Sequence, residues 1–328
     1  MIKMFAYEVR PDEAAAFDRI EKALNIQIGR TELTLTPETL HLCAGCQGVT
    51  ILGHSILNRE MLQLLKDSGI TAYSTRTVGC NHIDLDAAKE LGVHVCNTNY
   101  GAECVADYTV MLLLISLRNY KPVLWRMQVN DYSLAGLQGR QIRSLTIGVI
   151  GTGRIGLQVM KNLSGFGCKF LCYDPYPNPE AAKLGTYVSL DEIWENCDVI
   201  TFHTPLTKDN FHMVNKETLA KMKDGVILIN TARGELMDVE ALTEGIENKK
   251  IGKLAMDVFD EEQGIYHENL RDSIIKNRSM AYLRQFPNVV MTPHIAFYTA
   301  EAVESMVEGG VRGVYEILTQ GKTKMQLV

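Results

Sequence analysis

The chain has 328 residues, 46% of them hydrophobic and 22% charged, with a formal net charge of −6 at pH 7. That length is too great for one ordinary core and suits two domains, and the mild acidity gives no reason to expect a nucleic-acid partner. The longest apolar run, Val110 to Ile115, falls far short of the roughly 20 residues that cross a bilayer, so no membrane association is expected.

The first stretch, MIKMFAYEVRPDEAAAF, has no cationic segment followed by an apolar core, and its alternation suits a strand better than a signal peptide. Without an export signal, the eight scattered cysteines read as reduced thiols in a cytoplasm. Cys43 and Cys46 form a C-x-x-C, yet no second pair or nearby His completes a zinc site, and no metal is expected.

Residues 1 to 99 alternate strand and helix: Met1 to Tyr7, a helix from Pro11, Val49 to Leu52, a helix around Asn58 to Lys66, then Thr71 to Thr75 and Val93 to Asn97. This alternation predicts a parallel, flavodoxin-like sheet with helices on both faces. The turn Arg76 to Cys80 falls at the carboxyl end of a strand, where open α/β sheets place ligands. Glu103 to Arg118 is apolar on nearly every face, so a helix there must be buried all round. We expect a second copy of the chain to cover part of it, giving a homodimer through the 103–118 helix. Lys121 to Arg143 reads as a long, mostly polar connection.

Ser144 to Asp174 forms one complete βαβ unit. The apolar run Leu145 to Ile150 predicts a buried strand. Gly151, Gly153 and Gly156 follow at G-x-G-x-x-G spacing, a helical period runs through Phe166, and Cys168 to Tyr173 returns as a strand. Gly151 permits the tight turn, Gly153 lets the backbone approach a pyrophosphate, and Gly156 lets helix and strand pack closely. The helix N-terminus favours a bridging diphosphate. Asp174, closing the second strand, is placed to accept hydrogen bonds from ribose hydroxyls and to repel a 2′-phosphate, which selects NAD over NADP.

Beyond Asp174 the alternation resumes: a helix capped by Ser189, strands at Val199 to His203 and Val226 to Asn230, a helix between them at Asn215 to Met222, a helix from Asp238, and strands at Lys253 to Asp257 and Asn288 to Thr292. Gln263 to Phe286 reads as an amphipathic insertion. Thr299 to Leu318 has helical periodicity and is expected to return to the first domain.

Three ionisable residues follow apolar strands on the edge where a nicotinamide would lie: Arg233, Glu262 and His294. Reduction of a 2-keto acid needs a hydride, a proton for the carbonyl oxygen and a cation for the carboxylate. A guanidinium holds a carboxylate with a planar fork. An imidazole beside a carboxylate keeps a proton available for donation and, when neutral, serves as base in the reverse direction.

With GVIGTGRIG, NTARGEL, DVFDEE and TPHIAFYT in that order, the sequence resembles the D-isomer-specific 2-hydroxyacid dehydrogenases over almost its whole length, and among them the D-lactate dehydrogenases. The resemblance implies Arg233 as substrate binder, His294 as acid/base and Glu262 as its partner. It implies that Val78 and Gly79 offer backbone N–H groups to the substrate carboxylate, and that Tyr100 and Phe297 line the pocket. It also brings Arg154, Ile155, Thr204, Pro205, Thr231, Ala232 and Asp257 to the cofactor. One stretch departs from the family pattern: Tyr100 is followed by Gly101, Ala102 and Glu103, where relatives read Tyr-Ser-Pro.

The expected architecture is therefore two doubly wound α/β domains with a cleft between them. Residues 1–99, completed by 299–328, would bind substrate, and residues 100–298 would form a Rossmann domain for NAD. The expected activity is NADH-dependent reduction of pyruvate to D-lactate. Branched-chain or aromatic 2-keto acids are the enzymatic alternative, and an NAD(H)-sensing corepressor is the alternative of another class.

Overall fold

The computed structural model describes residues 1–328. They form two compact units, Met1–Gly101 with Tyr298–Val328, and Ala102–Phe297.

The first unit is built on five strands: β1 (Lys3–Ala6), β2 (Gln27–Arg30), β3 (Gly48–Ile51), β4 (Ala72–Thr75) and β5 (His94–Cys96). They pair in parallel in the order β2-β1-β3-β4-β5, the flavodoxin-like arrangement. β3 and β4 are buried at every residue because helices cover both faces of a parallel sheet. Those helices include α1 (Ala14–Leu24), α2 (Arg59–Asp67) and α3 (Leu85–Leu91). Asn58 and Asp84 start α2 and α3 by accepting from the N–H groups of Met61 and Ala87. β2 and α3 were not expected from the sequence. β2 is an edge strand with a single buried residue, Ile28, and its Gly29 leaves room for the Phe5 ring, so it carries no apolar run.

The second unit opens with α4 (Glu103–Leu117) and α5 (Tyr120–Met127). Its strands are β6 (Thr146–Ile150), β7 (Lys169–Tyr173), β8 (Thr186–Tyr187), β9 (Val199–Phe202), β10 (Val226–Asn230), β11 (Ile251–Met256) and β12 (Val289–Met291). The order β12-β11-β10-β9-β6-β7-β8 is the Rossmann order with one further strand, and its direction switches between β6 and β9. Between them run α6 (Arg154–Ser164), α7 (Pro179–Ala182), α8 (Leu190–Asn196), α9 (Lys216–Lys221), α10 (Val239–Glu247) and α11 (Arg278–Leu283). α8 begins with a capping box, in which Ser189 accepts from the N–H of Glu192 and Glu192 accepts from that of Ser189.

α4 is covered largely by its own unit, where Ala106, Leu112, Leu113 and Leu117 share a core with Ile147, Val159, Leu163 and Ile229. Its exposed side carries only Glu103, Asp107, Met111 and the flanking Arg118. Exposed apolar surface lies instead on α5 and just beyond it, at Tyr120, Leu124, Trp125, Met127, Val129 and Tyr132. Lys121, Arg126, Asn130 and Asp131 interrupt this segment, which is why it reads in sequence as a polar connection.

The chain then re-enters the first unit as α12 (Ala300–Gln320), capped by Thr299. Val307, Val311 and Val314 of α12 fill the core beneath β1 and β2 with Met4, Phe17 and Ile28. Past the helix, Met325 to Val328 run back along β5, where Met325 O accepts from Asn97 N (3.2 Å) and Leu327 N donates to Val95 O (2.8 Å). No helix is long and apolar enough to cross a membrane.

Candidate active site

At the switch point of the second unit, the turn after β6 is fixed by its glycines. Gly151 has φ +92°, and a Cβ there would lie 2.6 Å from the His203 backbone. A Cβ at Gly156 would lie 2.0 Å from Gly151 O, so α6 packs against the turn with no intervening side chain. Gly153, the residue before α6, differs: a Cβ there would meet no protein atom within 4 Å. Its lack of a side chain keeps open the approach to the α6 N-terminus, where the helix dipole and first-turn N–H groups favour a diphosphate.

Asp174 follows β7, and its carboxylate reaches back to this turn. Oδ2 accepts from Thr152 N (2.7 Å) and Oγ1 (3.3 Å), and Oδ1 accepts from Tyr176 N (2.9 Å). Thr152 is held in turn by the Tyr187 hydroxyl at 2.6 Å, and its carbonyl accepts from Asn178 Nδ2 at 3.0 Å. Sequence reading missed this bracing, which joins residues up to 35 positions apart. On the other side of the switch point, the carbonyl of exposed Pro205 accepts from Asn210 Nδ2 (2.7 Å), which fixes the Thr204–Pro205 turn.

His294 sits on the loop after β12 with φ +53°, a conformation uncommon for a residue with a side chain. Asp257, at the end of β11 and 1% exposed, holds it there. The Asp257 carbonyl accepts from His294 N (2.7 Å), and its carboxylate accepts from Thr292 Oγ1 (2.6 Å), Ile295 N (3.0 Å) and Ala296 N (2.7 Å). His267 Nε2 donates to the His294 carbonyl at 3.0 Å.

Thus presented, His294 Nδ1 donates to Glu262 Oε1 at 2.5 Å, a charge-assisted contact between half-buried groups. The other oxygen of Glu262 accepts from Phe259 N (2.9 Å), which fixes the carboxylate's rotation. Nδ1 being engaged, the imidazole has Nε2 left for a reacting group.

Arg233 follows β10 in the turn Asn230–Arg233. The buried Asn230 side chain clasps that turn, accepting from Ala232 N (3.0 Å) and donating to Arg233 O (2.8 Å). Next to it, Gly234 has no room for a Cβ, which would fall 2.1 Å from Phe259 C and 2.3 Å from Asp260 N. The strand end bearing Arg233 is therefore in backbone contact with the turn bearing Glu262. Its guanidinium is steadied by Nη1 donating to Ala232 O at 2.6 Å, while Thr231 Oγ1 lies 2.9 Å from Thr109 Oγ1 of α4. Phe297 packs edge-on to His294, with ring centres 6.5 Å apart.

In the first unit, Val78 and Gly79 lie on the turn after β4, with Val78 exposed. Tyr100 is half-buried near the end of this unit's first segment. Glu103, in the stretch that departs from the family pattern, falls in the first turn of α4, where an acid favours the helix dipole.

The model of the D-isomer specific 2-hydroxyacid dehydrogenase NAD binding domain matches residues 110–296. The chain belongs to the D-isomer specific 2-hydroxyacid dehydrogenases. An aromatic 2-oxoacid reductase of Clostridium sporogenes is 45% identical to it over 329 aligned positions, covering 100% of this chain and 99% of that one. A D-lactate dehydrogenase of Lactobacillus delbrueckii subsp. bulgaricus is 40% identical, covering 94% and 93%. Among solved structures, a D-2-hydroxyisocaproate dehydrogenase superposes with a TM-score of 0.91 at 32% identity, covering 99% of both chains. The protein is an NAD-dependent oxidoreductase, and the glycine turn, the α6 N-terminus and Asp174 fit that cofactor.

Proposed function

We propose that this dehydrogenase reduces 2-oxo acids bearing a bulky apolar side chain, aromatic ones foremost, to D-2-hydroxy acids at the expense of NADH. The observation that carries the choice is a set of exposed apolar side chains along the carboxyl edge of the first unit's sheet. Leu33, Ile56, Val78 and Tyr298 are each 40–56% exposed there. They are set on braced turns: Glu8 accepts from Leu52 N (2.7 Å) and Ser55 Oγ (2.5 Å), and Ser55 Oγ accepts from Leu35 N (2.9 Å). The Tyr298 ring lies under the Arg10 guanidinium, 5.4 Å from its centre. A phenyl group covered by such side chains gains about 1.5–3 kcal/mol, or about 10- to 100-fold, over a methyl left in water. The likeness to the aromatic 2-oxoacid reductase supports the same choice.

In this reading the first unit binds the substrate and the second binds NAD. Bound NADH supplies the hydride for the substrate's carbonyl carbon. Arg233 grips the carboxylate and polarises the carbonyl, with Val78 and Gly79 N–H groups on the carboxylate and Tyr100 and Phe297 against the side chain. His294 delivers the proton from Nε2 to the carbonyl oxygen, and Glu262 stabilises the imidazolium before transfer. The backbone N–H groups of Arg154 and Ile155 meet the diphosphate, and Thr204, Pro205, Thr231, Ala232 and Asp257 border the nicotinamide half.

Pyruvate reduction to D-lactate is the second reading, supported by the 40% identity to a D-lactate dehydrogenase. NADH oxidation measured with phenylpyruvate, 4-methyl-2-oxopentanoate and pyruvate separates the two. We expect kcat/KM about 10- to 100-fold higher for phenylpyruvate than for pyruvate. The reverse order would establish the D-lactate reading.

We further propose a homodimer. The exposed apolar residues of α5 and its continuation, together with Met111 of α4, support an interface centred beyond the 103–118 helix rather than on it. Leu124→Glu with Trp125→Glu should yield monomers in sedimentation; an unchanged sedimentation coefficient would refute this surface. Eight cysteines outside any disulfide support a reducing compartment, the cytoplasm.

A further inference from the structure

We propose that Thr77 and Asn97 are positioning residues that aim three consecutive peptide N–H groups, those of Val78, Gly79 and Cys80, at the substrate carboxylate. The inference rests on the reading above, in which the turn after β4 receives that carboxylate, and it adds a third donor and the means of orienting all three.

In a trans peptide the C=O of one residue points opposite to the N–H of the next. Holding a carbonyl therefore aims the following N–H. Each carbonyl in this turn is held. Thr77 O accepts from Thr98 N (3.3 Å), Val78 O from Asn97 Nδ2 (2.8 Å), and Gly79 O from Thr77 Oγ1 (2.6 Å). The N–H groups of Val78, Gly79 and Cys80 consequently face away from these partners, and none of them has an acceptor in the chain. A run of successive outward N–H groups is an anion-binding concavity made of backbone alone.

Counting protons shows that the Thr77 contact is directional. Thr77 Oγ1 gives its one hydrogen to Gly79 O, so at 2.6 Å from Thr75 Oγ1 it must accept from Thr75. Thr75, its own hydrogen spent, accepts from His82 Nε2 at 3.0 Å. The chain therefore runs one way, from His82 through Thr75 and Thr77 to the Gly79 carbonyl, and fixes His82 as the neutral Nε2–H tautomer. Burial and the neighbouring His54 push this imidazole down to about 4, so the relay keeps its polarity at neutral pH. Asn97 is anchored independently. Its N–H donates to Met325 O (3.2 Å), and Cys96 beside it bridges to Gln326. The last residues of the chain thereby set the amide that sets the Val78–Gly79 peptide.

The test compares Thr77→Val, Thr77→Ser and Asn97→Ala with the unaltered enzyme, using phenylpyruvate and its neutral amide as substrates and measuring NADH affinity separately. We expect Thr77→Val and Asn97→Ala to raise KM for the acid about tenfold. Turnover at saturation should stay within about twofold, with NADH affinity and KM for the amide unmoved. Thr77→Ser, which keeps the hydroxyl, should restore the acid KM. An unchanged acid KM in both variants, or an equal rise for acid and amide, overturns the proposal. Asn97→Ala, which leaves the buried strand intact, decides the matter if Thr77→Val fails to fold. An unaltered enzyme that reduces the amide as readily as the acid would instead remove the underlying reading of the turn.

Discussion

In the proposed mechanism, the carboxyl edge of the second unit and that of the first handle charge with different materials. The second uses side chains: a guanidinium, an imidazole and a carboxylate, with His294 and Glu262 2.5 Å apart. The first, in the proposed mechanism, uses peptide groups, whose N–H donors carry no residue identity and are aimed by a hydroxyl and an amide at 2.6–2.8 Å. A side chain that must give up a proton has to be a particular residue. A donor that only has to point is available at any residue, provided its neighbours hold it still.

The sharpest contrast should come from His294→Ala. Loss of the proton donor is expected to lower kcat by about 10²–10⁴-fold while NADH binding is retained, whereas the substitutions in the first unit change KM and spare kcat. A His294→Ala enzyme with near-normal turnover would dissolve the distinction. Arg233→Lys should come next, lowering kcat/KM by about 10- to 100-fold, because a point charge cannot reproduce the fork. Steady-state kinetics equal to the parent's would mean that the carboxylate rests on the backbone donors alone. Asp174→Ala is expected to weaken NADH about tenfold and narrow its advantage over NADPH, since both acceptor and repulsion are lost. Titration of both coenzymes checks this, and an unaltered ratio would refute it.

The smallest effect concerns stability, and it involves one imidazole from each unit. Burial pushes His203 down to about 3, beside Thr201 Oγ1 at 2.9 Å, and His82 down to about 4. The unfolded chain takes up a proton on each near 6.5, the ordinary value, while the folded chain does not until pH 4 or 3. Their contributions are therefore complete above about pH 6.5 and are lost as pH falls toward those lower values. Thermal scans from pH 7 to 5 should show Tm dropping by a few degrees, with a shallower drop in His203→Asn. Identical slopes would show that His203 is not held neutral by the fold.

Legibility in the sequence followed the same division. The βαβ unit around Gly151, Gly153 and Gly156 could be read because a buried parallel strand, a tight turn and an amphipathic helix each leave a pattern in residue type. Arg233, Glu262 and His294 stood out as ionisable groups after apolar runs. The residues that hold them did not. Asn230 clasps its turn from within a buried strand, and Asp257 fixes His294 through contacts 35–39 positions away. Asn97 reaches Val78 across 19 positions. Such bonds join a side chain to someone else's backbone, and nothing local in sequence distinguishes an Asn that does this from one that faces water. β8, with two residues, was too short to leave a pattern, and α5 was hidden by charges interleaved with the exposed Leu124 and Trp125.

The return of α12 to the first unit has a consequence for how the protein is made. Residues 1–101 emerge from the ribosome first, yet the Val307, Val311 and Val314 side chains that close their core arrive only after residues 102–297 have been translated. At about 5–20 residues per second that interval lasts roughly 10–40 s. Throughout it the nascent β1–β5 sheet carries an apolar face that α1 covers only in part, whereas the dinucleotide fold is completed by its own residues as they are made. Newly synthesised chains should therefore depend on chaperones through their amino-terminal third rather than through their coenzyme-binding part.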